Sequence, residues 1–428
     1  MRVARGGTLL LLSAAVRGAA GAITAAAVLA AVFSGAGAGE RATPPAKQAR
    51  SAMQGAISYT PIPFGEVPGW EEDDQLAALL AFRKSCDRLA RDTLARAEGD
   101  KTSHPPALMQ ACAGASAVKP TKASARAFFE QNFTANAISH TGPSGLLTGY
   151  YEPLLPGSRT AEGAFQTPLY KRPPELVDLA EEKERAAVGT LSHGRKGEKG
   201  IEPFATRAQI DQGFLKGRNL ELLYLADPVD VFNMQIQGSG RVKLTDGSAV
   251  RVHYDGKNGH PYTSIARYLI DKGLLAADKI SMGALTKWLK ADLQRAKEVM
   301  WQNASYVFFR ELQGAEAKGP LGAMNAPLTP GRSLAVDSAH HLLGMPIYVT
   351  AQHMSHVSKG GGFNRLMVAQ DVGSAIKGPE RGDIYFGSGD AAGKLAGSTK
   401  HPCKFIVLLP NEAPVRAAVD GGETPRAQ

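Results

Sequence analysis

The chain has 428 residues, 43% of them apolar and 21% charged, which is enough for two ordinary domains and too apolar for a disordered protein. Its 47 glycines and 26 prolines, against 7% aromatics, suit a turn-rich, largely β protein better than a helical bundle. The formal net charge is +9, but no stripe of basic residues interleaved with aromatics is present, so nucleic acid is not an expected partner.

The N-terminus reads as an export signal over 1–38. Arg2 and Arg5 form a charged start, Leu9 to Leu12 and Ala19 to Phe33 are apolar, and Ala36-Gly37-Ala38 is a small-x-small cleavage pattern. An uncleaved anchor helix over Ala19 to Ala38 is the alternative. No cysteine lies nearby, so no lipoprotein acylation site is seen. The three leader arginines carry part of the charge, and about +6 remains without them. That surplus suits an anionic polymer, or simply a soluble basic protein.

Residues 39–60 read as a linker rich in Ala, Gly, Pro and Lys. A helix follows, with Leu76, Leu79, Leu80, Phe82, Cys86 and Leu89 near helical spacing behind the acidic start Glu71 to Asp74. Another helix is expected over Ser124 to Phe133. Cys86 and Cys112 fall in this helical region and would pair in an oxidising compartment, and Cys403 is left over, buried in a strand.

From Gly145 the pattern changes to short strands. Gly145 to Tyr151 is one. In Asp230 to Gln237 the residues Phe232, Met234 and Ile236 alternate with Asn233, Gln235 and Gln237, which predicts a strand. A hairpin follows, with Asp246-Gly247 at its turn. Helices are expected over Tyr262 to Leu275 and Ser281 to Gln302. Strands then recur at Ser305 to Arg310, Ser333 to Val336, Pro346 to Thr350, Arg365 to Gln370, Asp383 to Phe386 and Lys404 to Leu409. Gly387 to Lys394 resembles a phosphate loop only faintly, because Leu395 follows Lys394; it reads as a flexible glycine-rich rim. A flexible tail is expected over 411–428.

No zinc motif, no Cys/His cluster with ligand spacing and no nucleophile elbow occurs, so neither a metal nor a cofactor is expected. Three aspartates remain: Asp337 ends a strand, Asp371 follows one and Asp383 opens one. A carboxylate at a strand mouth can be half-buried until it holds a proton near neutrality, as a general acid must. The same residues could equally cap turns.

The segment Asp371-Val372-Gly373-Ser374 through Arg381-Gly382-Asp383-Ile384-Tyr385-Phe386-Gly387 resembles the signature of the three-aspartate (3D) domain. Leu334-Ala335-Val336-Asp337 resembles its first aspartate block. Upstream, the chain resembles the MltA family of membrane-bound lytic murein transglycosylases through Thr148-Gly149-Tyr150-Tyr151-Glu152-Pro153, Gln166 to Tyr170, Phe232 to Gly240, Tyr254 to Tyr262 and Asn303 to Phe309. Ser374 stands where the family usually has glycine, and Ser338 where it usually has proline.

This resemblance implies a mainly β fold with minor α. A double-psi β-barrel domain would be built from 61–151 and 305–410, with the 3D block at 333–410. A smaller β-barrel domain over 152–304 would be inserted, with a groove between the two for the glycan strand. It implies an exolytic lyase, not a hydrolase, cutting the β-1,4 bond from N-acetylmuramic acid to N-acetylglucosamine. Asp383 is the implied acid and base, and Asp371 a nearby supporting group. The expected substrate-binding residues are Thr148, Tyr150, Tyr151, Gln235, Gln237, Ser239, Lys257 and Asn258. Each has a structural alternative, since the amides could stitch strands and the tyrosines could be core. A hydrolase pairing Glu152 with Asp383 and a non-catalytic glycan-binding module are the competing functions. The expected setting is the periplasm, with outer-membrane association open. The expected partners are peptidoglycan glycan strands, with wall-synthesis or wall-remodelling proteins as further candidates, and the expected state is a monomer.

Overall fold

The computed structural model describes residues 57–95, 104–179, 191–276, 280–358 and 360–412. The expected leader, most of the linker and the tail beyond 412 lie outside the described residues. The fold is mainly β, with one sheet of nine strands, one of six and one of three.

The nine-stranded sheet runs, in spatial order, Ser58–Ile62, Phe133–Ser139, Lys404–Pro410, Pro346–Ala351, Phe363–Val372, Ser333–Val336, Arg381–Ser388, Leu146–Glu152 and Lys400–Pro402. Both ends of the described chain therefore meet in one sheet. The last expected linker residues already belong to it, since Ser58 pairs with Ser139. Its strand pairings leave two edges and close no ring among the described residues. Two pairings are parallel, Ser333–Val336 with Phe363–Val372 and Arg381–Ser388 with Leu146–Glu152.

One face of this sheet is covered by helices Gln75–Ala95, Pro106–Ala117 and Lys122–Asn132. Leu79, Phe82, Leu89, Phe129 and Phe133 share one buried apolar cluster with Leu334, Val336, Ile347, Leu366 and Val368. Burying apolar side chains from both layers is the main source of stability. Cys86 and Cys112 form a disulfide across the first two helices, and Cys403 is free and buried. The buried Arg332 guanidinium donates to both carboxylate oxygens of Asp73, at 2.8 and 2.9 Å, tying the start of the helical layer to the sheet.

The six-stranded sheet runs Val307–Leu312, Ala249–Lys257, Ser239–Leu244, Leu154–Ser158, Glu221–Leu225 and Thr167–Tyr170. The expected hairpin is present: Asp246 accepts from the Ser248 N–H at its turn. Val307–Leu312 pairs with Ala249–Lys257, so this sheet extends past residue 304.

Three local expectations fail. Asp230 to Gln237 is not a strand but most of the helix Pro228–Gln237. Asp227 caps its N-terminus by accepting from the Val229 N–H, Pro228 sits in the first turn, and Gly238 closes it at φ 74°. These bracketing signals outweigh an alternation only eight residues long. The glycine-rich rim is the helix Gly389–Ser398, packed against Leu146–Glu152 so tightly that a Cβ on Gly149 would meet the Ala396 backbone at 2.8 Å. The helix expected over Ser281 to Gln302 is split into Met282–Lys290 and Leu293–Met300, because Asp292 starts a second N-cap.

Candidate active site

A cavity of about 590 Å³ is lined on one side by Tyr150, Asp371 and Asp383 of the nine-stranded sheet. On the other side stand Gln235, Gln237, Ser239, His253 and Lys257, from the six-stranded sheet and the helix that precedes it.

Strand register sets the carboxylates. Ala335 is paired on one side with Asp371 and on the other with Asp383, and Asp383 is paired in turn with Thr148. Register partners on neighbouring strands share a face. Asp371, Ala335, Asp383 and Thr148 therefore form one row across four strands. At about 4.8 Å per strand, the two aspartate backbones stand about 10 Å apart, with the small Ala335 between them.

Asp371 reaches this face through an irregularity. Leu334 pairs with Ala369 and Ala335 with Asp371, so Gln370 is an extra residue. Such a bulge re-aims the side chain that follows it. The Gln370 side chain turns to the helical layer, where its amide donates to the Ser85 hydroxyl at 2.8 Å and to the Ala81 carbonyl at 3.1 Å.

The two carboxylates have different surroundings. Asp371 accepts three hydrogen bonds, from the Tyr150 hydroxyl at 2.8 Å, the Ala323 N–H at 2.8 Å and the Val372 N–H at 2.9 Å. Burial still pushes it up to about 6. Asp383 accepts one hydrogen bond among the described residues, from the Thr148 hydroxyl at 2.6 Å. Burial pushes it up to about 6, against the pull of Thr148 and the Arg381 guanidinium, and the nearby Asp371 charge adds to the rise. Asp383 is thus a half-buried carboxyl raised toward neutrality that, among the described residues, keeps most of its hydrogen-bonding capacity for the cavity.

The third aspartate does other work. Burial would raise Asp337, but the Gly378 N–H, the Lys377 ammonium and the Ala339 N–H hold it below the usual carboxylate range. It ties a turn. Glu152 is fully buried. It takes the Arg251 guanidinium, with one contact at 3.2 Å, and the Ser388 hydroxyl. Arg251 belongs to the six-stranded sheet, so this ion pair joins the two sheets.

Of the expected substrate-binding residues, Tyr150, Gln235, Gln237, Ser239 and Lys257 line the cavity. Gln235 and Gln237 do not share a strand face as expected, because they lie two residues apart on a helix. The Gln235 amide donates to the Val307 carbonyl at 3.3 Å, and the Gln237 carbonyl accepts from the Tyr151 N–H at 3.0 Å. Thr148 acts on Asp383. The Tyr151 ring packs against Gly393 outside the cavity lining. Asn258 is fully buried and holds backbone: it donates to the carbonyls of Ala205 and Ala304 and accepts from the Tyr306 N–H.

Several lining residues escaped the sequence reading, Tyr254, Tyr262 and His253 among them. Tyr254 and Tyr262 bound one of the matched blocks, which was the available signal, whereas nothing in the pattern marked His253. Burial and the Arg310 charge push His253 down to about 4, so its ring is neutral near pH 7. Among the described residues, no group of three or more His, Cys, Asp or Glu could hold a metal ion. No described helix is long and apolar enough to cross a membrane.

The MltA specific insert domain matches residues 146–310, and the 3D domain matches 332–409. The membrane-bound lytic murein transglycosylase A of Escherichia coli strain K12 is 35% identical over 265 residues. That stretch spans 61% of this chain and 64% of the E. coli protein's own length. The crystal structure of a membrane-bound lytic murein transglycosylase from Agrobacterium tumefaciens superposes with a TM-score of 0.75 at 37% identity, covering 82% of this chain and 98% of that one. E. coli MltA with bound chitohexaose superposes with a TM-score of 0.58 at 28% identity, covering 83% of this chain and 92% of that one. The ordered blocks, the two matched domains and the shared fold agree: the chain belongs to the MltA family of membrane-bound lytic murein transglycosylases.

Proposed function

We propose that this protein is a lytic transglycosylase. It would cut the β-1,4 bond between N-acetylmuramic acid and N-acetylglucosamine in peptidoglycan and leave 1,6-anhydro-muramyl ends. The observation that carries this reading is the cavity carboxyl of Asp383, raised to about 6 and held by one donor among the described residues. The cavity that binds the strand would be the groove between a double-psi β-barrel domain and the insert domain. The two parallel strand pairings of the larger sheet support that topology, and the membership of Val307–Leu312 in the six-stranded sheet supports an insert that runs to about there.

In this mechanism protonated Asp383 donates to the glycosidic oxygen as the bond to the muramyl C1 breaks. The C1 centre becomes oxocarbenium-like. The muramyl C6 hydroxyl attacks it and gives its proton to Asp383, now a base. One carboxyl serves both steps, and no water is consumed. Attack from within the same sugar makes positioning decisive, a task that fits Gln235, Gln237 and Ser239 opposite Asp383. Asp371, fixed by three donors, would sit beside the developing positive charge. The buried ion pair of Glu152 favours this one-carboxylate scheme over a hydrolase with two. The bound chitohexaose of the E. coli relative supports a β-1,4 glycan as ligand here. The relatives' "membrane-bound" name supports an exported protein at the outer membrane.

Mass analysis of products from purified peptidoglycan tests the reading. Anhydro ends, lighter than reducing ends by one water, are expected. They should vanish in Asp383→Asn, which still binds the strand. Reducing ends would overturn the mechanism, and undiminished cutting by the variant would overturn the assignment of Asp383.

A further inference from the structure

Three cationic side chains line the cavity, and two of them are occupied. Arg207 is buried, donates to the carbonyls of Asn303 and Ser305, and lies against the rings of Phe232 and Tyr306. Arg381 donates to the carbonyls of Leu146 and Gly382. Lys257 differs. Among the described residues its half-buried ammonium has one hydrogen-bond contact, the Ser374 hydroxyl at 3.4 Å, and no carboxylate pairs with it. A charge that acts on it is another cation, Lys377, which has its own partner in Asp337 at 3.1 Å. Burial and that ammonium both disfavour the charged form of Lys257.

The backbone beneath Lys257 is held firmly. Gly256 takes φ 122° in a bulge, and the Asn258 N–H donates to the Tyr306 carbonyl at 2.9 Å. The Asn258 side chain fixes two more carbonyls. A half-buried cation on a fixed base, without a counter-charge, calls for an anion from outside. The acetylated sugar rings of a β-1,4 glycan are neutral. Its anionic groups hang from the 3-O-lactyl arm of the muramic acid.

Resting on the transglycosylase reading above, we propose that Lys257 binds a carboxylate carried on the lactyl arm of N-acetylmuramic acid and so selects muramyl strands over neutral chitin-type glycans. The carboxylate has two sources with one chemistry. It is the free lactyl carboxylate of a strand stripped of peptide, or a carboxylate of an attached stem peptide. Ser374, on the loop that links the two aspartate strands, would share the same group through its hydroxyl.

The test measures binding in the Asp383→Asn protein, which does not cut, for three ligands: chitohexaose, glycan strands stripped by an amidase, and strands carrying stem peptides. Each is measured with Lys257, Lys257→Met and Lys257→Arg, and thermal unfolding checks that every variant is folded. Lys257→Met should lower the ratio of affinity for a carboxylate-bearing strand over chitohexaose about tenfold, and Lys257→Arg should restore it. A fall confined to stripped strands names the lactyl carboxylate, and one confined to substituted strands names the stem peptide. An unchanged ratio for both strands, including an equal loss on all three ligands, would overturn the proposal. These are binding ratios, so they stand apart from the functional reading, which fails when the unmodified enzyme makes no anhydro ends. As a second readout in the cutting enzyme, kcat/KM for the favoured strand should fall by the same factor.

Discussion

Replacing Thr148 by Val removes one hydroxyl and keeps the shape. The Thr148 hydroxyl is the donor to Asp383, at 2.6 Å, and it opposes the upward push of burial. A hydrogen bond to a charged group contributes about 1.5–3 kcal/mol, which is about one to two pKa units at roughly 1.4 kcal/mol each. The protonated carboxyl also uses this contact, so the lower figure applies, and Asp383 should move from about 6 to about 7. As the acid of the first step, Asp383 must carry its proton in the free enzyme, and kcat/KM against pH reports that state. At pH 7.5 the protonated fraction should rise from about 3% to about 24%. The high-pH fall in kcat/KM should therefore shift upward by about one unit, even as the lost orientation lowers the plateau. The assay follows anhydro-product formation by mass from pH 4.5 to 9. A midpoint that stays put, or moves down, would refute the placement of the proton on Asp383.

The raised carboxyl also predicts a stability effect. Asp383 is raised when folded, so its contribution to stability is complete below about pH 4 and is lost as pH rises through about 6, roughly 3 kcal/mol in all. Asp383→Asn should abolish cutting yet unfold a few degrees higher than the unmodified protein at pH 8, with no gain at pH 4; equal shifts at both would count against this. Glu152→Gln leaves the Arg251 guanidinium buried without its counter-charge, a loss of about 3–5 kcal/mol. Its melting temperature should drop while the pH profile of the residual activity stays in place, and a dead enzyme of unchanged stability would revive Glu152 as a second catalytic carboxylate. Replacing both Cys86 and Cys112 by Ser opens a loop spanning 26 residues and should cost about 3 kcal/mol; Cys403→Ser should respond to reductant as the unmodified protein does.

Much of the fold was legible because local signals and tertiary pattern agreed. Val336, Ile347 and Leu366 sit in continuous apolar runs that can only be buried strands. The Asp246-Gly247 hairpin carried its own turn chemistry. Reading failed where two signals competed within a few residues. Alternation across Asp230 to Gln237 pointed to a strand, while Asp227, Pro228 and Gly238 bracket a helix, and the brackets act through hydrogen bonds that a periodicity count ignores. Asn258 looked like a ligand because a turn amide can serve either purpose; only the Ala205 and Ala304 carbonyls show that it is already engaged. Those partners are 53 and 46 residues away, beyond any local window.

The three aspartates show why a site is harder to read than a fold. All three stand at strand ends, and composition treats them alike. What separates them is register and donor count. The single extra residue Gln370 turns Asp371 toward the same face as Asp383; without it, Asp371 would stand opposite Val336, on the other face. Asp337 lies one step beyond Ala335 and meets the Lys377 ammonium and two N–H groups, which lower it. Asp371 meets three neutral donors, and Asp383 one. Burial raises Asp371 and Asp383 alike to about 6, so donor count decides instead which of them is free to act. The carboxyl with the fewest donors, buried beside another carboxyl, is the one left able to give its proton to something that enters the cavity. The same logic applies with the sign reversed to Lys257, the lining cation with the fewest acceptors. Among the described residues, acid and cation each have a single hydrogen-bond partner, and that shortfall is what the two proposals rest on: a glycosidic oxygen for Asp383, a carboxylate for Lys257.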